Sequence, residues 1–360
     1  MWQVRCGAGI ACVLISMLST DLHSADSGGK KLRLATQNMY EGTSFQELAA
    51  AQTAAEFAQA VITTYRNIQL TNPAERAAAI AREVSATSPH LIALQEASIV
   101  RTGAAGSATV VESDLLKSLL DELQRHGQHY IVVSVLQGLD ASAPITPDFE
   151  VRLTTQDAVL ARSDLPPSEF SWSNVQAQHY QATLSFPSPI GPVLFYRGYI
   201  SLDAHIHGHA FRFVTTHLEV KPDVNAAQAS ELAAVERASP LPIVIAGDFN
   251  AVAGNRFDPS FASYRTFMTA GFGDAWAMAH PLDPGYTCCQ AGDLRNVSTA
   301  LTQRIDLIFV RGGFTVERIG RIGIDGSDRT LSGLWPSDHA GIVAVLAIPE
   351  TQVPAKCAAE

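Results

Sequence analysis

Positive charge is what this chain is shortest of. Lys and Arg number 25 against 35 Asp and Glu, giving a formal net charge of −10 and a pI near 5.5. Nothing global therefore pulls it toward nucleic acid or anionic membrane, and a polyanionic substrate needs a local basic patch or a bound cation. Cysteine is scarce, five in 360 residues, and the absence of any C-x-x-C pair deprives a structural zinc site of its usual spacing. No internal repeat or low-complexity block occurs. The G-x-S-x-G elbow, the H-E-x-x-H pair and the G-x-x-x-x-G-K-[ST] loop are missing too, so three common hydrolytic and nucleotide-binding devices are excluded. No apolar run is long enough to span a bilayer comfortably.

What is present is a large apolar fraction. Hydrophobic residues make up 47% of the chain and charged residues 17%, enough for a sizeable core in one large or two ordinary domains. Residues 1–25 stand apart. Arg5 gives a positive start, residues 7–19 form an apolar stretch of signal-peptide length, and Ala25 offers a cleavage position. A secreted or periplasmic protein is the expectation. Cleavage would leave Cys288, Cys289 and Cys357, and a bridge from Cys357, in the 349–360 tail, to one of the adjacent pair is expected.

The stretch KLRLATQNM (31–39) reads as an opening strand. A helical insertion is expected over about 44–70, with Phe57, Val61, Tyr65 and Ile68 on one face. Asn72, Pro73 and Glu75 carry the signature of a capped second helix. Short apolar strands follow: HLIALQ, HYIVVSVL, DAVLAR, GYISLDAHI, FRFVTTHL, LPIVIAGDF, RIDLIFVR and GIVAVLAI. The proline- and serine-bearing stretch 144–192 is expected to be loop-rich, as is the region holding Arg318, Arg321 and Arg329. Mixed helical and strand signals from end to end predict one α/β domain over 31–348.

The informative pattern is where the polar residues fall. Strands end at Asn38, Glu96, His217, and Asp248 with Asn250; Asp306 lies within one, and Asp338-His339 precede the last. Each has an ordinary alternative as a turn residue, a helix-start charge or a satisfied core histidine. Together they are costly to bury unless they pair with each other or with a cation. Such a set suits phosphoester hydrolysis. That chemistry needs a divalent cation on the phosphate oxygens, a positioned water and donors for the charge that develops. One or two carboxylates plus water suit Mg²⁺.

The ordered segments TQNMYEG, LIALQEAS, TTHLE, IVIAGDFNAV, RIDLIF and PSDHAG resemble the motif set of the endonuclease/exonuclease/phosphatase superfamily, which includes DNase I-like nucleases, sphingomyelinases and inositol-polyphosphate phosphatases. The resemblance implies a four-layer α/β sandwich: two mixed β-sheets face to face, with helices outside. It implies Glu96 as the main Mg²⁺ ligand, assisted by Asn38 and Asp338, with Mn²⁺ or Ca²⁺ as alternatives. Asp248 would activate the attacking water and Asn250 would hold a phosphate oxygen. His339, oriented by Asp306, and His217 would contact the phosphoryl group. The family's glutamate partner for the first histidine is not found; Asp157 is the expected substitute. Arg197 and Asn296 are further candidates, the first as a phosphate contact or as an ordinary surface arginine. In the second segment Cys289 stands where the family pattern has an aspartate. His205, His207 and His209 surround Gly208 at an expected hairpin tip and are read as an exposed turn rather than a zinc site. The expected substrate is a lipid or small-molecule phosphodiester, with DNA or RNA as the alternative and a non-catalytic binding module as a second one. A monomer is expected.

Overall fold

A computed structural model describes residues 30–189 and 191–349. The expected signal segment 1–25, with Cys6 and Cys12, and the tail cysteine Cys357 lie outside the described residues. The chain enters as β1 (Lys31–Asn38), passes through α1 (Gln46–Ala50), α2 (Ala54–Leu70) and α3 (Pro73–Ser85), and returns in β2 (Leu91–Gln95). Next come β3 (Ile99–Ala104), β4 (Ser107–Asp114), α4 (Leu115–Arg125) and the long strands β5 (Tyr130–Thr146) and β6 (Phe149–Arg162). They are followed by β7 (Phe170–His179), β8 (Leu184–Phe186), β9 (Val193–Phe195), β10 (Gly198–Ile206) and β11 (His209–His217). Helix α5 (Pro222–Arg237), β12 (Ile243–Asp248), α6 (Phe261–Thr269), β13 (Gly273–Asp274) and α7 (Ala275–Ala279) come next. The described chain closes with β14 (Asp306–Arg311), β15 (Thr315–Ile322) and β16 (Gly341–Ala347).

Period-two alternation assembles these strands into layers. In β2, Leu91 and Ala93 face the central core while Ile92 and Leu94 face helices α3 and α4. In β12, Val244 and Ala246 face the same central core while Ile243 and Ile245 face the other helical layer, which contains α5 and α6. Strands buried on both faces must be apolar at every position, which is why these segments read as continuous runs. One sheet has eight strands in the order β15-β16-β1-β2-β6-β3-β4, with β5 on β6; the other has six, β13-β14-β12-β11-β10-β7. Both are mixed, with β1 parallel to β2 and β11 parallel to β12. The expected four-layer sandwich is therefore the observed fold.

Four local expectations are refined. The 44–70 insertion is two helices, because Thr53 caps α2 in a reciprocal capping box with Glu56 and so breaks the helical run. Phe57, Val61 and Ile68 are buried as their spacing requires. The 144–192 stretch is not mainly loop. There β6 pairs with β5 along most of its length, and Pro144 is accommodated at a register irregularity near the hairpin end. Arg318 and Arg321 lie in β15, an edge strand, rather than in a loop. At α3, Asn72 accepts from Glu75 N at 3.4 Å, but the Glu75 carboxylate takes the Ser332 hydroxyl instead of completing the box. The His207-Gly208 turn joins β10 to β11, as expected.

Candidate active site

Strand register gathers the polar residues at one edge of the sandwich. Asn38 stands beside Gln95 at the parallel ends of β1 and β2, and His217 beside Asp248 at the ends of β11 and β12. The antiparallel neighbours start there: Asp306 pairs with Asp248, and Gly198, which follows Arg197, pairs with His217. Close strand approach is needed for this. A Cβ on Gly247 would lie 2.0 Å from Thr216 O, so any larger residue would push β11 and β12 apart just before His217 and Asp248. After β2 the chain turns sharply, with Glu96 in the left-handed region at φ 55°. That conformation is strained for a glutamate and keeps its carboxylate at the mouth.

Asp248 occupies the middle. Its Oδ2 lies 3.1 Å from Asn38 Nδ2, 3.5 Å from His217 Nε2 and 4.0 Å from His339 Nδ1. Its Oδ1 accepts from Asn250 N at 2.9 Å, and one N–H of the Asn250 amide goes to Leu218 O. Asp306 Oδ2 accepts from His339 Nδ1 at 2.8 Å, the expected pairing. Burial alone would lower the His339 pKa, but Asp306 and Asp338 outweigh it and hold it well above the ordinary value. Asp338 is pushed up to about 7 by burial; His339 pulls it down and Glu96 pushes it further up.

The second histidine is oriented differently. Arg197 Nη1 donates to His217 Nδ1 at 2.7 Å, while Asp157 Oδ1 lies 3.4 Å from the same nitrogen. Asp157 is therefore beside His217 as expected, with an arginine nearer still. Burial and Arg197 both pull the His217 pKa down, yet Asp157 and Asp248 outweigh them and leave it raised. A doubly protonated ring cannot keep a guanidinium N–H at 2.7 Å from Nδ1. The geometry is that of the neutral ring with its proton on Nε2, aimed at Asp248 and Glu96; protonation would turn Nδ1 over to Asp157. Arg197 is not an ordinary surface residue: it is mostly buried, 3.6 Å from Glu219.

Asn38 lies between Glu96 and Asp248 at the mouth. Its Oδ1 accepts from Tyr40 N at 2.9 Å and its amide nitrogen bridges Glu96 at 3.0 Å and Asp248. In this arrangement it orients two acids; turning Oδ1 toward Glu96 would cost Tyr40 its acceptor. The Asn296 amide donates to Gln290 Oε1 and Ser298 O, so it shapes its own loop. The sulfurs of the adjacent Cys288 and Cys289 lie against each other, the expected partner Cys357 falls outside the described residues, and Cys288 pairs with His339 through the backbone.

Sequence reasoning missed two groups. Glu41 is buried, accepts from Ser98 Oγ at 2.9 Å and donates its N–H to Glu96; burial and then Glu96 push its pKa well up. Arg76 is fully buried and donates to Met39 O, Tyr40 O, Thr71 O and Pro336 O, tying the loop after β1 to the one before Asp338. Burial lowers its pKa to about 10, and Asp338 counters this. Its signal was in the sequence: Arg76, Ile80 and Val84 share one helical stripe, so the arginine sits on a core-facing side.

The donor set fits a divalent cation. Glu41, Glu96, Asp248, Asp306 and Asp338 crowd one edge, two of them raised by burial and mutual repulsion, and Asp306 Oδ1 is buried without a hydrogen-bond partner. Asp248, Asp306 and His339 place ligand atoms within 4.8 Å of one another. The loop after β12 lines a cleft of about 1010 Å³, with Val252, Arg256, Phe257, Tyr286 and Arg304 among its walls.

A four-layer sandwich with acids and imidazoles gathered at one strand edge is the architecture of divalent-metal-dependent phosphoester hydrolases. The description of the Endonuclease/Exonuclease/phosphatase family matches residues 36–339, and the chain belongs to that family. Solved structures share the fold at low identity. A humanized D. rerio TDP2 with 14 mutations is 16% identical, with 88% of this chain and 99% of that one covered and a TM-score of 0.54. A family protein from Leptotrichia buccalis C-1013-b is 17% identical over 87% and 98%, at 0.54. The Bacteroides thetaiotaomicron VPI-5482 mannosyl-6-phosphatase Bt3783 is 17% identical over 88% and 99%, at 0.50. A comparison with curated protein sequences returned no match.

Proposed function

We propose that this protein hydrolyses phosphoesters with Mg²⁺ or Mn²⁺, and that its substrate is a lipid or small-molecule phosphodiester. The observation that carries the reaction type is Asp248 Oδ2 standing among Asn38, His217 and His339. Glu96 and Asp338 would hold the cation, which when bound neutralises phosphate oxygens. Asp248 takes the proton of the attacking water. As water attacks and the ester P–O bond breaks, His217 would donate from Nε2 to a phosphate oxygen or to the leaving oxygen, and His339, fixed by Asp306, would donate from its own Nε2 to the phosphoryl oxygens. Arg197 keeps the His217 proton on the side facing the site.

Charge supports a small substrate. Duplex binding recruits several cations to phosphates. Of the cleft's arginines, Arg304 is bound to Asp274 at 2.7 Å, which leaves Arg256. Arg321 and Arg329 donate to backbone carbonyls of neighbouring loops. The test is turnover of bis-p-nitrophenyl phosphate, sphingomyelin, DNA and RNA by purified protein with Mg²⁺, Mn²⁺ or Ca²⁺. The small esters should be hydrolysed faster per enzyme than duplex DNA; efficient plasmid nicking at physiological salt without small-ester turnover would make the protein a nuclease. Export is proposed from residues 7–19, and recovery of the uncleaved chain from the cytoplasm would overturn it.

A further inference from the structure

Glu219, two residues past His217, is buried, and the reaction as derived above gives it no part. Helix α5 holds its backbone: its N–H donates to Gln228 Oε1 at 2.8 Å, and Asn225 Nδ2 donates to its carbonyl at 2.6 Å. Of its carboxylate oxygens, Oε1 accepts from Val220 N at 2.8 Å, while Oε2 is buried with no hydrogen-bond partner among the described residues. That oxygen lies 3.6 Å from Arg197 Nε, which is itself buried and lacks a hydrogen-bond partner. A carboxylate and a guanidinium taken out of water this close compensate each other, and either alone would be an unpaired buried charge. The Arg197 backbone is pinned as well. Its carbonyl accepts from Tyr180 N at 3.0 Å, and the next residue, Gly198, pairs with His217. From there the guanidinium donates through Nη1 to His217 Nδ1. The other acids whose charge reaches Arg197 are Asp157, Glu96 and Glu41. Two of them flank the same imidazole: Asp157 Oδ1 is 3.4 Å from Nδ1, and Glu96 Oε1 is 4.0 Å from Nε2.

We propose that Glu219 is a positioning residue, whose carboxylate retains the Arg197 guanidinium at His217 Nδ1 and off Asp157 and Glu96. The role rests on the reading above, in which Glu96 holds the cation and His217 presents its Nε2 proton, and deepens it. A buried arginine beside the ligands of a metal is a competitor for them, because a guanidinium pairs readily with carboxylates. Glu219 turns that competitor into a support. Burial alone would lower the Arg197 pKa, and Glu219 is the foremost of the acids that outweigh it and leave it raised. With the Glu219 charge gone, the nearest compensation left to the guanidinium is Asp157 and Glu96. Moving there leaves Nδ1 without its donor and occupies oxygens that a cation needs.

Glu219→Gln removes the charge and keeps the oxygen that takes Val220 N. Calorimetric titration of the purified protein with Mn²⁺ should show binding weakened about tenfold, the size of coupling expected within one buried charge network. The nitrogen NMR resonance of His217 Nδ1, read at a single pH, should leave the position of an unprotonated, hydrogen-bonded nitrogen. Glu219→Asp restores the charge and should recover most of both signals. Arg197→Gln combined with Glu219→Gln removes the competitor together with its counter-ion, so no unpaired buried charge remains. That double variant should bind Mn²⁺ within about twofold of wild type. Binding as weak in the double variant as in Glu219→Gln would make Glu219 a structural prop and overturn the proposal. So would an unmoved Nδ1 resonance in Glu219→Gln, since charge would then have changed without position. Turnover of bis-p-nitrophenyl phosphate is read separately. Both shifts in a protein whose wild type hydrolyses no phosphoester would remove the hydrolase reading and keep the positioning role.

Discussion

Strand β2 carries a histidine before its first residue and a glutamate after its last, and its two ends use buried ionisable groups in opposite ways. At the far end His90 Nδ1 accepts from Arg33 N at 3.0 Å and its ring lies against Phe170. Burial first, then Arg33 and Arg162, push its pKa down to about 3, so it is a neutral hydrogen-bond acceptor. At the mouth, His217 and His339 are just as buried, yet both are raised because acids surround them. Burial alone therefore does not mark the functional end. The balance of the neighbouring charge does: arginines alone flank the structural histidine, whereas carboxylates surround His339 and outweigh Arg197 at His217.

The sharpest way to break this contrast is to remove acid from the mouth. Glu96→Gln keeps shape but withdraws the charge and one of the two acceptors that take Asn38 Nδ2–H and Glu41 N–H, and activity should fall by about three orders of magnitude or more while the fold survives. EDTA should abolish turnover, and Mg²⁺ or Mn²⁺ should restore it. Near wild-type rates in EDTA or in the variant would sink the metal mechanism. Asp306→Asn comes next. It leaves His339 in place but destabilises its cation and its Nδ1–H tautomer, so kcat should drop by about two to four orders of magnitude. A loss of only a few-fold would place His339 outside the chemistry.

Much of this end was legible in the sequence because chemistry and period coincide there. An apolar run that stops at Glu96, His217 or Asp248 names both a buried strand and the residue at its mouth. Parallel register then brings those ends together, and Asp306 and His339 pair as the motifs implied. Less legible was anything that depends on which atom of a side chain points where. Asn38 reads as an assisting ligand, and its amide nitrogen bridges two acids; Arg197 reads as a phosphate contact or a surface arginine, and it donates to His217 Nδ1. HYIVVSVL and DAVLAR marked the base of the β5–β6 hairpin, but its outer half was hidden because its residues face solvent and its prolines imitate a loop, while strand pairing overrides both.

Arg76 tests whether the mouth needs its buried positive charge. Arg76→Met retains bulk but strips four carbonyls of their donor and leaves Asp338 and Glu96 without a nearby cation from beneath. Removing one side of such a buried polar network costs about 3 kcal/mol. A urea titration should show that loss, and any remaining activity should need more Mg²⁺, because the loops carrying Asn38 and Asp338 are no longer tied together. Wild-type stability in Arg76→Met would mean that water replaces the guanidinium at no cost.

The smallest effect belongs to the far end and is read in stability, not rate. His90 has a folded pKa of about 3, depressed below its ordinary value, so below pH 6.5 the unfolded chain binds a proton that the folded chain does not. Stability from this group is complete above pH 6.5 and is lost as pH falls toward 3, about 2 kcal/mol of it by pH 5. The groups facing it, Arg33, Arg162 and His207, all oppose protonation, and the bond from Arg33 N, which needs the Nδ1 lone pair, opposes it too. His90→Asn offers an amide oxygen in place of Nδ1 and carries no charge at any pH in this range. Urea midpoints measured from pH 8 to pH 5 should therefore fall less steeply in the variant than in the wild type, with the two close together at pH 8. Parallel curves would show that His90 is protonated in the folded state, and the two ends of β2 would then not differ in the way their neighbours dictate.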